Sequence, residues 1–103
     1  MTAETDRELL EAAAKAAGIT ERESSGAFLD PDDRHTVWDP LHIDGCALRL
    51  AVKLRMDVTF NEMDVFAFPP DGSDGRSELI NVDDPYAATR RAIVCAAAEV
   101  GRA

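Results

Sequence analysis

The chain has 103 residues, a net charge of −9 and 46% hydrophobic residues. This length fits a single domain, residues 1–103, with one modest core that buries roughly two-thirds of the unfolded surface. The acidic balance disfavours direct binding to nucleic acid or to an anionic membrane, because such binders present a basic face. No apolar run approaches the roughly 20 residues that a membrane-spanning helix needs.

The cysteine content indicates a reducing compartment. Cys46 and Cys95 are the two cysteines of the chain, too few for a disulfide framework, and both are expected to be free thiols. Residues 1–7 are polar and no apolar segment of a signal peptide follows them. We therefore expect a cytoplasmic protein.

The first predicted element is a helix over about residues 5–17. Thr5 and Glu8 have the spacing of a capping box, in which each side chain bonds the backbone amide of the other residue. Apolar residues follow at helical spacing on one face. Gly18 can adopt the left-handed conformation that ends a helix.

The segment 20–38 has a weak pattern that allows two structures. It forms either a hairpin of two short strands, at 27–29 and 35–38, or a loop. The segment ends at Trp38, the single tryptophan of the chain. A tryptophan there is expected to plug the edge of the core and to order the approach to the next helix.

The second predicted helix covers about residues 44–55, with Asp44 as its N-cap. Its apolar residues span an arc of roughly 200° on a helical wheel, wider than a helix lying on one surface needs. Two explanations remain open. Either this helix is the most buried of the chain, or part of its surface meets another chain.

Three strands are predicted after this helix, over about residues 56–61, 64–68 and 78–82. The first two read as a hairpin, and the second lacks clean alternation, which predicts cover on both of its faces. The strand aromatics are interpreted as core rather than as a base-stacking platform, because no basic residues accompany them. They are Phe60, Phe66 and Phe68.

The last predicted helix covers about residues 85–100. Asp84 is its expected cap, Pro85 its first residue and Gly101 its end. Tyr86 lies on the face expected to be buried. Arg90 lies at the flank of that face, where its stem is expected to be covered and its guanidinium paired with one of the loop carboxylates, as a structural pair rather than a ligand clamp.

The element order predicts a mixed α/β (α+β) fold. Three helices with apolar faces, around a small and mainly antiparallel sheet of three to five strands, suggest an α-β-α sandwich.

Three blocks, residues 38–41, 44–54 and 84–94, resemble the phage ABA sandwich domain, a family of small phage and prophage proteins. Cys46 and Cys95 depart from the polar residues more usual there. The resemblance implies an α-β-α sandwich, an origin in a phage or prophage and residence in the bacterial cytoplasm. It implies no established activity, so no residue roles are carried over.

Nucleophilic catalysis has few candidates in this sequence. Ser24 or Ser25 with His35 and an aspartate would make a hydrolytic set, but no nucleophile elbow surrounds either serine. Cys46 and His42 are four residues apart and would form a dyad if the second helix began early. We interpret Cys46 instead as a small residue in the first turn.

A metal site is also weakly indicated. His35, His42, Asp39 and Cys46 are ligand types that suit zinc. Their spacing matches no structural zinc pattern, and a second ligand pair is missing. We therefore expect no catalytic, cofactor-binding or metal-binding residues.

The leading hypothesis is a non-enzymatic phage or prophage accessory protein that acts by contact with a host or phage protein. A homodimer is a further alternative, given the second helix. Another alternative is an acidic decoy that occupies a DNA-binding host protein. The alternative from a different class is a small metal-dependent hydrolase using the region of His35 and His42.

Overall fold

A computed structural model describes residues 5–31, 36–69, 75–79 and 84–102. It contains both helices and strands, so the predicted mixed α+β class is confirmed. In chain order the elements are α1 (Asp6–Ala17), α2 (Asp44–Lys53), β1 (Asp57–Phe60), β2 (Asp64–Phe68), β3 (Arg76–Leu79) and α3 (Pro85–Arg102).

The start of α1 has the predicted capping box. The Glu8 amide donates to Thr5 Oγ1 at 3.2 Å, and the Thr5 amide donates to Glu8 Oε1 at 3.4 Å. Gly18 ends the helix with a φ of 73°, a left-handed conformation that glycine adopts without steric cost. Local sequence therefore determines both ends of this helix.

The strands form one antiparallel sheet in the order β1-β2-β3. Val58 pairs with Ala67, and Ala67 pairs with Arg76, so these three side chains share one face. Ala67 and its neighbour on this face, Val65, are fully buried. The opposite face includes Phe68, which is exposed and stacks on Phe66 with 5.7 Å between ring centroids.

Helix α3 is the centre of the packing. It contacts α1, α2, β2 and β3, and residues 92–98 are buried continuously. The explanation that α2 is the most buried helix is therefore wrong, because α3 alone lies between the sheet and another helix. The predicted sandwich has helices on both faces of the sheet. In the described ranges, α3 covers one face, and the other face carries the exposed Phe68.

Two boundary predictions fail for tertiary reasons. Ile43 occupies the N-cap position of α2 and Asp44 is the first helical residue, since its carboxylate binds Arg90 instead of the helix end. Gly101 lies inside α3 rather than closing it, because the backbone of α1 passes directly against it. The predicted cap of α3 is confirmed: the Ala87 amide donates to Asp84 Oδ1 at 2.9 Å.

The remaining bounds shift by a few residues. Helix α2 ends at Lys53, two residues before the predicted end, and Arg55 then takes a left-handed φ of 54°. Strand β3 occupies 76–79 where 78–82 was expected, and residues 80–82 lie outside the described part of the chain.

The segment after α1, for which a hairpin and a loop were both open, contains two isolated bridges among its described residues, and one of them joins the two segments expected to pair. Arg22 pairs with Phe28, and Leu29 pairs with Val37. The Trp38 indole is buried and meets the Phe28 ring edge-on, with 6.0 Å between centroids. This contact confirms that Trp38 closes the edge of the core ahead of α2.

Candidate functional site

One side of α2 exposes large apolar side chains. Leu48 and Val52 are four residues apart, so they lie on one stripe, and they are 64% and 68% exposed. The opposite side of the helix is buried through Cys46 and Leu50, among others. The wide apolar arc of α2 therefore divides into a buried half and an open half, and we call Leu48 and Val52 the apolar ridge.

An apolar groove of about 520 Å³ runs beside the apolar ridge. Its walls come from α2, from the first turns of α3 and from the end of β1. Phe60 and Tyr86 stand on these walls and are 63% and 69% exposed. The groove is lined by Asp44, Gly45, Ala47, Leu48, Phe60, Pro85, Tyr86, Thr89, Arg90 and Ile93.

Arg90 fixes the two helices that form the groove. Its Nη1 donates to Asp44 Oδ1 at 2.6 Å, and its Nε donates to the carbonyl oxygen of Leu41 at 2.8 Å. The Arg90 side chain is only 15% exposed. The covered stem and the pairing with a carboxylate are confirmed, but the partner is the first residue of α2 rather than a loop carboxylate. The groove thus has a charge-assisted cross-link at one end.

A second depression, of about 400 Å³, lies on the other side of the apolar ridge. Asp30, which is 2% exposed, borders it and accepts a hydrogen bond from Arg49 Nη2 at 2.5 Å. Leu48 lines both this depression and the groove. The apolar ridge therefore lies between the groove and this second depression.

The charge around the apolar ridge differs from that of the whole chain. Residues 44–55 carry three bases and one acid, whereas the chain carries a net charge of −9. Lys53 and Arg55 at the end of α2 are exposed. The ridge therefore lies on a locally basic part of an acidic protein.

The sequence-derived catalytic and metal candidates do not assemble. His42 Nδ1 lies 2.8 Å from Asp39 Oδ2 and the imidazole is exposed, whereas Cys46 is fully buried and out of reach of a substrate. His35 lies outside the described residues. Ser25 Oγ donates to Glu23 Oε1 at 2.8 Å. Across the described ranges, no three His, Cys, Asp or Glu residues are grouped so that they could hold a metal ion.

The residues around the groove were only partly predictable from the sequence. Phe60 was expected in the core, and that interpretation is wrong for it and for Phe68, since both rings are exposed. Tyr86 was placed on the buried face of its helix but is exposed, because it lies six residues before Ala92, where the buried part of α3 begins. The wide arc of α2 was the one signal that pointed to this surface.

The Cys95 thiol lies in a buried polar environment between α3 and β3. Burial is the main cause that raises its pKa, and the neighbouring Glu78 raises it further, against weaker opposition from Arg76 and Arg91. The sulfur lies 4.0 Å from Glu78 Oε1. The folded protein therefore holds this thiol in its protonated form.

We expect this pKa shift to affect stability at alkaline pH. The stabilisation is fully present below the ordinary thiol pKa of 9.0 and is lost as pH rises through the higher folded pKa, because the unfolded state then gives up its proton first. The free energy of unfolding, measured with urea at about pH 8 and about pH 10, should fall less with pH for Cys95→Ala than for the wild type. An equal fall in both proteins would contradict the raised pKa of Cys95. The difference between the two proteins at about pH 8 gives the cost of deleting the side chain.

Comparison of the chain with protein-family models, with curated proteins and with solved structures gave no match. Among the described helices, none is both long enough and apolar enough to cross a membrane.

Proposed function

We propose that this chain acts by binding another protein through the groove and the apolar ridge. The observation that carries the proposal is the exposure of three large side chains that line the groove, Leu48, Phe60 and Tyr86. Val52, one turn from Leu48 on the apolar ridge, extends this apolar surface towards the second depression. All four side chains are between 63% and 69% exposed. Single exposed apolar residues are ordinary, but a contiguous set beside a groove is typical of an interaction site.

The composition of this surface is that of a protein interface. Tyr86 and Phe60 are aromatic side chains of the kind that anchor such contacts, and the apolar groove between them offers a pocket for a partner's side chain. The Arg90–Asp44 pair at one end supplies a polar rim. This rim is held in place by the hydrogen bond from Arg90 to the Leu41 carbonyl.

The biological setting of the proposal comes from the resemblance to the phage ABA sandwich domain. On that basis the chain is a non-enzymatic accessory protein of a phage or prophage, working in the bacterial cytoplasm on a host or phage protein. A full α-β-α sandwich would need a further layer over the sheet face that carries Phe66 and Phe68.

The two alternatives receive less support. An acidic decoy needs free carboxylates in rows, but Asp6, Asp30 and Asp44 are each bonded to an arginine. A hydrolase in the region of His42 would start from an exposed imidazole whose described partner is Asp39.

Affinity capture with matched variants tests the proposal. The immobilised chain is exposed to lysate of infected or lysogenic bacterial cells, beside Leu48→Glu and Met63→Glu. Both residues are exposed apolar side chains, at 64% and 70%, so neither change should disturb the fold. Met63 lies in the β1–β2 turn and does not line the groove. We expect a protein that the wild type and Met63→Glu retain, and that Leu48→Glu retains at least about tenfold less.

The salt dependence of partner retention distinguishes this proposal from the acidic decoy. Retention by an apolar surface should persist at about 1 M salt, whereas a decoy held by charge should lose its partner. Equal retention by all three proteins would contradict binding through the apolar ridge. Retention of no protein by any of them would contradict a partner other than the chain itself.

A further inference from the structure

We infer that the partner at this surface is a second copy of the same chain, bound with the two α2 helices antiparallel. The inference rests on the proposed function, because it names the occupant of the groove and the apolar ridge. Shape and the order of charges along α2 support it.

The surface is complementary to itself in shape. In a two-fold dimer the same patch serves both chains, so a projecting feature must find a hollow on the identical surface. Here the apolar ridge projects directly beside the groove of about 520 Å³. A two-fold axis close to α2 places Leu48 and Val52 of each copy against the groove wall of the other. The exposed Phe60 and Tyr86 rings then become covered.

The charges along α2 are also complementary in an antiparallel pair. Asp44 begins the exposed stripe, and the exposed Arg55 follows its other end. Antiparallel pairing brings Asp44 of each copy towards Arg55 of the other and also opposes the two helix dipoles favourably. The Asp44 side chain remains 70% exposed despite its bond to Arg90, so it can accept a second donor.

The small number of acids along α2 limits the repulsion between two copies. Two chains of −9 repel each other, and contact through an acidic face would add to that repulsion. Residues 44–55 carry one acid and three bases, and Arg49 is already bonded to Asp30. Two copies that meet along α2 therefore bring few carboxylates together.

Sedimentation equilibrium of the purified chain, from about 1 µM to about 1 mM, tests the inference. We expect a reversible monomer–dimer equilibrium. Leu48→Glu should raise the dimer Kd at least about tenfold, and the matched Met63→Glu should leave it unchanged. Arg55→Glu tests the orientation: it should weaken an antiparallel dimer about threefold or more at low salt and much less at high salt.

A wild type that stays monomeric over this range, or a Leu48→Glu chain that dimerises like the wild type, overturns the inference. An Arg55→Glu chain that dimerises like the wild type at low salt overturns the antiparallel arrangement. If the wild type is monomeric but captures a different protein that Leu48→Glu releases, self-association fails and the proposed function stands. If neither dimerisation nor capture depends on Leu48, both proposals fail.

Discussion

Replacing Gly101 by alanine should lower the free energy of unfolding by about 3 kcal/mol, because the added methyl has no space. A Cβ at this position would lie 1.9 Å from the carbonyl oxygen of Ala12 and 2.9 Å from its carbonyl carbon. Both are backbone atoms of α1, which cannot move aside as a flexible side chain can. The gain of roughly 1 kcal/mol in helix propensity does not offset this clash.

Gly45→Ala is the matched control for Gly101→Ala. Gly45 also lies in a helix, but its added Cβ would meet only Arg49 Nη1 at 3.2 Å, the end of a flexible side chain. We expect stability to be unchanged or raised by up to about 1 kcal/mol. Urea unfolding followed by circular dichroism and Trp38 fluorescence measures both variants. A Gly101→Ala chain as stable as the wild type would show that α1 and α3 are farther apart.

Arg90→Met should cost about 2 to 3 kcal/mol of unfolding free energy. The change keeps an apolar stem but removes the guanidinium that binds Asp44 and the Leu41 carbonyl. The Arg90 side chain is 15% exposed, so solvent screens its bond to the Leu41 carbonyl little, whereas the bond to Asp44, which is 70% exposed, is screened more. The Leu41 carbonyl then loses a charged donor, and α2 loses its polar link to α3. Chemical denaturation gives the size of the effect.

Arg7→Met is the control for Arg90→Met, since it also removes an arginine from an ion pair. Arg7 binds Glu11 one turn along α1 and its side chain is 84% exposed. Exposed pairs of this spacing contribute less than about 0.5 kcal/mol. If both variants lost equally little, the bonds of Arg90 would not hold the two helices together.

The features that sequence predicted correctly are those set by neighbouring residues. The capping box at Thr5 and Glu8 and the cap of α3 at Asp84 depend on backbone amides within three positions. The alternation of apolar and polar residues in β1 predicted the β1–β2 hairpin, because this alternation also depends only on neighbouring residues. Trp38 was placed correctly because a lone tryptophan ahead of an amphipathic helix has few other ways to bury its ring.

The features that sequence missed depend on distant parts of the chain. Asp44 has the chemistry of an N-cap, yet a guanidinium 46 positions away takes its carboxylate. Gly101 has the chemistry of a helix end, yet the crossing of α1 makes it a buried helical residue. A periodic pattern gives the apolar face of a helix but not the element that covers it.

The same limit applies to the candidate site. The wide apolar arc of α2 indicated that the helix has more apolar surface than one contact buries, but not which of its residues are exposed. Phe60 and Tyr86 are residue types that are common in cores. Both lie at the rim of a groove because of the way α3 packs against β2 and β3, which the sequence does not reveal. The sequence offered catalytic and metal-binding candidates by residue type alone, and no three potential metal ligands lie together among the described residues.

The central position of α3 has a consequence for folding kinetics. The ion pair between Asp6 and Arg91 joins residues 85 positions apart, and α1 and α2 find their main helical neighbour in α3 alone. Neither helix can therefore gain lasting protection from amide exchange before its own loop to α3 closes, across 85 positions for Asp6 and Arg91 and 46 positions for Asp44 and Arg90. Such non-local order slows the search for the native state, and we expect protection to arise in one late step shared by all three helices.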